Sequence, residues 1–221
     1  ALFVPPQPAR VAELLDDLIG FMNRTDVPAL AQSFITHAQF ETIHPLTDGN
    51  GRTGRALSHS VSRHRGTTRH VAVPTSAVLL ADVDKYFDTL TDYRDGNLDS
   101  YIIHFSHAAL RAVLETHTLA AELAQIRLRW IENLKPRKGS AVFAILELLK
   151  RQPVIGLDVL RDATSVDKSN LYRAIDVLIE AGVLSEITGD QRNQIWAATE
   201  LLKAVDDLIG RLGKRQNTPS L

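Results

Sequence analysis

Apolar residues recur along most of this chain at spacings of three and four, the period of a helix with one face in a core. Val11, Leu14, Leu15, Leu18, Ile19 and Met22 predict a first helix over Val11 to Asn23. Ahead of it, Pro5, Pro6 and Pro8 keep the chain extended. Thr25, Asp26 and Pro28 mark a turn and a new start. Leu30, Phe34, Ile35, Ala38 and Ile43 form the expected core side of a second helix, from about Ala29 to Thr42. Pro45 stops that helix and leaves His44 at its end. A third helix runs from about Arg52 to Arg65 and is closed by Gly66. After Pro74, Thr75 or Ser76 is expected to cap a helix that continues through Leu90. Asp95-Gly96-Asn97 makes a turn, and Asp99 to Leu134 reads as long helix broken at least once.

The pattern changes past Lys135-Pro136-Arg137-Lys138-Gly139, which reads as a linker. Helices are expected over Ser140 to Lys150, Leu157 to Ala163 and Asn170 to Ala181, the last capped by Asp167 or Ser169. Ser185 to Thr188 and Gln194 to Ala197, joined by a Gly189-Asp190 turn, predict a two-stranded hairpin. Three helices and a hairpin resemble a winged helix-turn-helix, closed here by a helix from Leu201 to Leu212 and a polar tail. The expected fold is mainly α, in two domains: 1–135, and 136–221 with the small winged-helix module.

Composition narrows the classes. With 44% hydrophobic residues and a net charge of −1, neither bulk nucleic-acid binding nor attraction to acidic membranes is indicated. There is no cysteine, so disulfides, thiol nucleophiles and thiolate metal sites are excluded. No apolar run approaches the roughly 20 residues of a membrane span, and a cytoplasmic setting is the default expectation. The chain begins Ala1-Leu2-Phe3 without Met and reads as a fragment. Arg63, His64, Arg65, Arg69 and His70 form a local basic cluster, read as a solvated helix end. His104, His107 and His117 lack metal-triad spacing and read as surface or packing residues.

The chemistry concentrates between His44 and Arg55. Gly49 and Gly51 alternate with polar residues, so the backbone is expected to turn successive N–H groups inward as an anion nest. The nest leads into a helix N-terminus, which also favours a phosphate. Arg52, Arg55 and His59 share one helical face, and two forked cations suit a polyphosphate. Asp48 is a hard oxygen ligand for Mg²⁺ beside that nest. His44 is a titratable base next to the phosphate site.

His44, Asp48, Gly49, Asn50, Gly51, Arg52 and Arg55, contiguous and in register, resemble the signature of the Fic family. Leu46 stands where the family has Phe, and is expected to anchor the loop in the core with a smaller contact. The resemblance implies an all-helical Fic/DOC domain that transfers AMP from ATP to a Ser, Thr or Tyr hydroxyl of a target protein, with Mg²⁺. His44 would be the catalytic base and Asp48 the metal ligand. Asp48, Gly49, Asn50, Gly51, Arg52, Thr53, Gly54 and Arg55 would bind the nucleotide, with Tyr86 and Phe87 on the adenine side and Arg94 near the base. Phe87 in place of the family's Tyr removes one hydroxyl. His37 and Phe40-Glu41 also match the family pattern, with His37 read as a hydrogen-bonded buried histidine. Leu2-Phe3-Val4 would be the returning strand of a target-docking flap.

Three other readings stand beside AMP transfer. The first is different chemistry at the same site: another nucleotide donor, phosphorylation or removal of AMP. The second is a DNA-binding regulator, using Lys168, Asn170, Tyr172, Arg173, Arg192 and Asn193. The acidic residues Asp167, Asp176, Glu180, Glu186 and Asp190 lie in the same elements, so interaction or homodimerisation is favoured over DNA. The third is an inactive scaffold. The family's inhibitory helix, whose Glu pairs with the second arginine (here Arg55), has no match: Glu132-Asn133 is preceded by Leu128 where Ser or Thr is required. The inhibitor is expected upstream of Ala1 or on a separate chain, and constitutive activity is the expectation where it is missing.

Overall fold

A computed structural model describes residues 3–69, 71–164, 166–189 and 194–214. The chain is mainly helical and divides into two compact units. One comprises the residues up to Thr116 and those from Arg211; the other is His117–Gly210.

The first unit is built around α2 (Ala29–Ile43), flanked by α1 (Pro8–Met22) and α3 (Asn50–His64). Pro8 opens α1, where its missing N–H costs nothing. Helix α2 is buried on most of its circumference, including Gln32, Ser33, Thr36, His37 and Glu41. Its apolar positions feed two clusters. Phe40 and Ile43 meet Leu18 of α1 and Leu57 of α3. Phe34 and Ala38 meet Tyr86 and Leu90 of α5 (Val83–Arg94), and Tyr101 and Phe105 of α6 (Leu98–Leu134). Leu30, expected in the core, is 41% exposed.

Two of the buried polar residues of α2, Gln32 and Ser33, are tied to its neighbours, as burial requires. The Ser33 hydroxyl meets the hydroxyls of Ser58 and Ser62 at 2.7 and 2.8 Å, bolting α2 to α3. Gln32 donates to the carbonyls of Phe21 and Arg24 at 2.8 and 2.9 Å. Arg65 donates to the Gln32 amide oxygen and to the carbonyls of Arg24, Thr25 and Val27. Arg65 is therefore a structural cation that gathers the chain after α1, rather than part of a solvated cluster; His70 lies outside the described residues.

Helix α4 (Thr75–Leu79) begins after Pro74 without a side-chain cap, so neither Thr75 nor Ser76 caps it. A 3₁₀ turn at Leu80–Asp82 follows, and the Asp82 carboxylate caps α5. Helix α6 is unbroken over 37 residues, where the sequence suggests a break. The division between the units falls inside it.

In the second unit the order is α7 (Ala141–Leu149), β1 (Val154–Gly156), α8 (Leu157–Ala163), α9 (Lys168–Glu180), β2 (Ser185–Glu186), β3 (Ile195–Ala197) and α10 (Thr199–Leu212), whose last residues belong to the first unit. The sheet has three antiparallel strands in the order β1-β3-β2, not the expected two. Only three residues long, β1 is too short to show alternation; it exists because Ile155 pairs with Trp196 in β3. Ile145, Leu149, Ile155, Leu160, Leu171, Ile175, Leu178 and Trp196 form one core, joined by Ile126 and Trp130 of α6. Asp167 caps α9, accepting from the Asn170 N–H at 3.1 Å.

Among the described residues no helix is long and apolar enough to cross a membrane. The wing residues Arg192 and Asn193, and Asp190 of the turn, lie outside the described residues.

Candidate active site

Helix α2 ends at His44, whose backbone is left-handed (φ 49°, ψ 53°). Such a conformation is uncommon for a residue with a side chain, and it is kept here by its surroundings. The His44 N–H still bonds the Phe40 carbonyl at 2.9 Å, so the ring is displayed from a fixed helix end. Its Nδ1 lies 3.4 Å from the Glu41 carbonyl oxygen and 3.9 Å from Glu41 Oε2. The side chain is 41% exposed.

The loop from Pro45 to Asp48 is held by Asn50. Its buried amide accepts from the Leu46 N–H at 2.9 Å and donates to the Leu46 carbonyl at 2.6 Å. Leu46 itself is 43% exposed. The expected anchoring of its side chain in the core is therefore replaced by anchoring of its backbone. The Asn50 side chain is committed to the loop.

Gly49 is left-handed (φ 87°) and precedes α3, which starts at Asn50, two residues earlier than the sequence suggests. No described side chain caps α3, and its first turn carries no acidic residue. The N–H groups of Asn50, Gly51 and Arg52 form its orphan donors. Gly51 is helical, so its role differs from the expected positive φ. A Cβ there would meet Arg55 Nη1 at 3.2 Å and Glu41 Oε1 at 3.4 Å. Gly54 faces α2: a Cβ there would lie 3.0 Å from His37 Nδ1 and 3.3 Å from Glu41 Oε1. Both glycines let α3 close over two buried polar groups. Thr53 donates its N–H to the Gly49 carbonyl at 3.0 Å, within the first turn.

The Asp48 carboxylate is 89% exposed and holds Arg52 at 3.0 Å. Arg55 is half-buried and, with His37 and His59, lines a cavity of about 320 Å³ whose walls include Phe34, Phe105 and Ser58. Arg55 and His59 thus share a face, while Arg52 is drawn to Asp48.

Tyr86 is 8% exposed, and its hydroxyl meets His37 Nε2 at 3.0 Å. Burial lowers the His37 pKa to about 4, so its ring is neutral near pH 7. Phe87 is 53% exposed. Arg94 stacks on the Phe3 ring, 3.7 Å from its centroid, and burial lowers its pKa. Phe3 and Val4 are not in a strand; Leu2 lies outside the described residues. Glu41 is a residue to which sequence reasoning gave no role. Burial pushes its carboxyl above the ordinary value, opposed by the charges of His44, Arg55 and Arg94. The signal was a carboxylate one turn before His44 on a helix that is buried almost all round.

Residues 1–61 match the model of the Fic/DOC family. A probable protein adenylyltransferase, aq_aa38 of Aquifex aeolicus, is 31% identical over 97 residues, covering 43% of this chain and 28% of that protein. Protein adenylyltransferase fic-1 of Caenorhabditis elegans is 33% identical over 67 residues, 29% of this chain and 13% of that protein. The chain thus spans less than a third of the length of either relative. The crystal structure of a Fic family protein from Desulfovibrio desulfuricans G20 aligns with 88% of this chain and 56% of its own, at 20% identity and a TM-score of 0.42. The segment that matches the Fic/DOC family model, residues 1–61, carries the whole stretch from His44 to Arg55.

Proposed function

We propose that this chain transfers AMP from ATP to a hydroxyl side chain of a target protein, with His44 as the base. One observation carries the reading. A half-exposed imidazole is fixed at the end of α2, and the loop after it is tied by Asn50 to the uncapped N-terminus of α3. A base and an anion site are thus held by one short, braced segment.

In this reading the orphan N–H groups of α3 receive phosphate oxygens, and Arg55 and Arg52 neutralise the outer phosphates. His44 accepts the hydroxyl proton on Nε2 as the hydroxyl oxygen bonds to the α-phosphorus. The bond from that phosphorus to the pyrophosphate oxygen breaks, and pyrophosphate leaves. Phe87 is the exposed aromatic available to a base, while Tyr86 holds His37. Asp48 fits a Mg²⁺ site of the kind that uses one carboxylate, phosphate oxygens and water, because its carboxylate is exposed beside the phosphate site. There Mg²⁺ would offset charge on the leaving pyrophosphate. No group of three or more metal-ligating side chains occurs among the described residues, in keeping with a metal that arrives with the nucleotide.

The second unit is read as a winged-helix module for interaction or homodimerisation. Tyr172 of α9 packs edge-on against Trp196, and the Asn170 amide bonds Asp167, so both side chains have partners within the unit, which supports that reading. The test of the main reading is labelling by α-labelled ATP with Mg²⁺. Wild-type protein is expected to label itself or a lysate protein with the mass of an adenylyl group, and His44→Ala is expected not to. Equal labelling by the variant would remove His44 as base, and a different added mass would change the donor.

A further inference from the structure

The Glu41 carboxylate lies beneath the loop and has no part in the reaction described so far. The residue is 8% exposed. Its Oε1 is buried, with no hydrogen-bond partner among the described residues. Glycines at 51 and 54 leave the room it occupies under the first turn of α3. Its other oxygen, Oε2, is 3.9 Å from His44 Nδ1, and its own main-chain carbonyl is 3.4 Å from the same nitrogen. Nδ1 therefore faces two oxygens of one residue.

Burying a carboxylate is costly unless charges or hydrogen bonds compensate. The groups acting on this one are known on every side. His44 lies one turn on along the same helix, Arg55 comes from α3, and Arg94 and Tyr86 come from α5. His37 stands beside it against Gly54. The three basic groups favour its anionic form. A side chain that only filled this space would be apolar, and would leave Nδ1 without a charged neighbour.

We propose that Glu41 is a positioning residue for His44: its carboxylate keeps the proton on Nδ1, so that Nε2 carries the lone pair offered to the substrate hydroxyl. The proposal rests on the reading of His44 as base. The hydrogen bond made by one imidazole nitrogen sets the protonation of the other; here that bond reaches the Glu41 main-chain carbonyl at 3.4 Å, and the carboxylate at 3.9 Å adds its negative charge on the same side. When Nε2 takes up the hydroxyl proton, the ring becomes an imidazolium held against the Glu41 anion. The Nδ1 proton stays in place, and the carboxylate is not itself protonated.

The test uses the full chain, labelled with ¹⁵N, and a long-range ¹H–¹⁵N spectrum of its histidine rings, with His44→Gln to assign the His44 signals. Wild type is expected to show His44 as the Nδ1–H tautomer. In Glu41→Ala, which keeps the main-chain carbonyl but loses the carboxylate, the share of the Nε2–H tautomer is expected to rise; a tautomer population equal to wild type overturns the proposal. In Glu41→Gln, which keeps the volume and an acceptor but not the charge, kcat for AMP transfer is expected to fall roughly ten- to a hundredfold, a share of what a general base supplies. KM for ATP is expected to stay within about twofold, as for a group acting only in the transition state. An unchanged kcat in that variant also overturns the proposal, and decides alone if Glu41→Ala does not fold. If wild type transfers no AMP, the tautomer experiment still decides the role of Glu41, and it is the AMP-transfer reading that fails.

Discussion

His44 reaches its position through its own backbone geometry and through one side chain that holds the loop that follows. Its left-handed backbone ends α2, and Asn50 clamps Leu46 two residues later. Asn50→Ala leaves the Leu46 N–H and carbonyl without those partners. It is expected to cost about 1–3 kcal/mol of stability, by the cost of unpaired polar groups. It should also weaken ATP binding, because the loop before α3 loses its tether. Urea denaturation and nucleotide titration check the two parts separately. Unchanged nucleotide affinity would mean that α3 presents its N–H groups without help from the loop. Asn50 was legible as part of a motif, but its partner was not, since a side chain bonding backward over four residues leaves no mark in hydropathy.

Among the elements, α2 departs most from its sequence pattern. Its apolar positions predict one buried face, yet Gln32, Ser33, Thr36, His37 and Glu41 are buried as well. Each polar group there has a neighbour from another helix or its own backbone that periodicity does not show. Arg65 is the clearest case: it reads as a surface cation and acts as a donor to three carbonyls and Gln32. Arg65→Ala is expected to lower stability by about 2–3 kcal/mol, on the scale of hydrogen bonds to a charged group. ATP affinity should be unchanged, because the proposed phosphate site lies at the other end of α3. A denaturation midpoint equal to wild type would contradict that role. At β1 a three-residue strand was missed for the same reason: its pairing partner, β3, lies some 40 residues on.

Across the whole molecule, His37 couples stability to pH. Its folded pKa is about 4, below the ordinary 6.5, because burial disfavours the charged ring. The unfolded chain therefore binds the extra proton between those values, and stability falls as pH drops from about 6.5 to about 4. At roughly 1.4 kcal/mol per unit, the loss approaches about 3 kcal/mol. Urea denaturation across that range is expected to show the slope in wild type and a flatter one in His37→Gln. A slope unchanged by the substitution would assign the pH dependence to other groups. The division between the units, between Thr116 and His117, falls inside α6. The apolar pattern over 98–134 gives that helix its length, but not the point at which its residues leave one core for another.

The sequence by itself determined the helical class, the presence of a small sheet and the stretch from His44 to Arg55. Those features are local: helical period, turn residues and a contiguous motif lie within reach of neighbouring positions. Tertiary structure alone decided that Leu46 is held by its backbone, that Gly51 and Gly54 are small to make room for Glu41 and His37, and that Tyr86 serves His37 while Phe87 stays exposed. Each of those depends on groups brought together from different helices. Their distances follow from how α2, α3 and α5 pack, and packing is a property of pairs that no single stretch of chain contains.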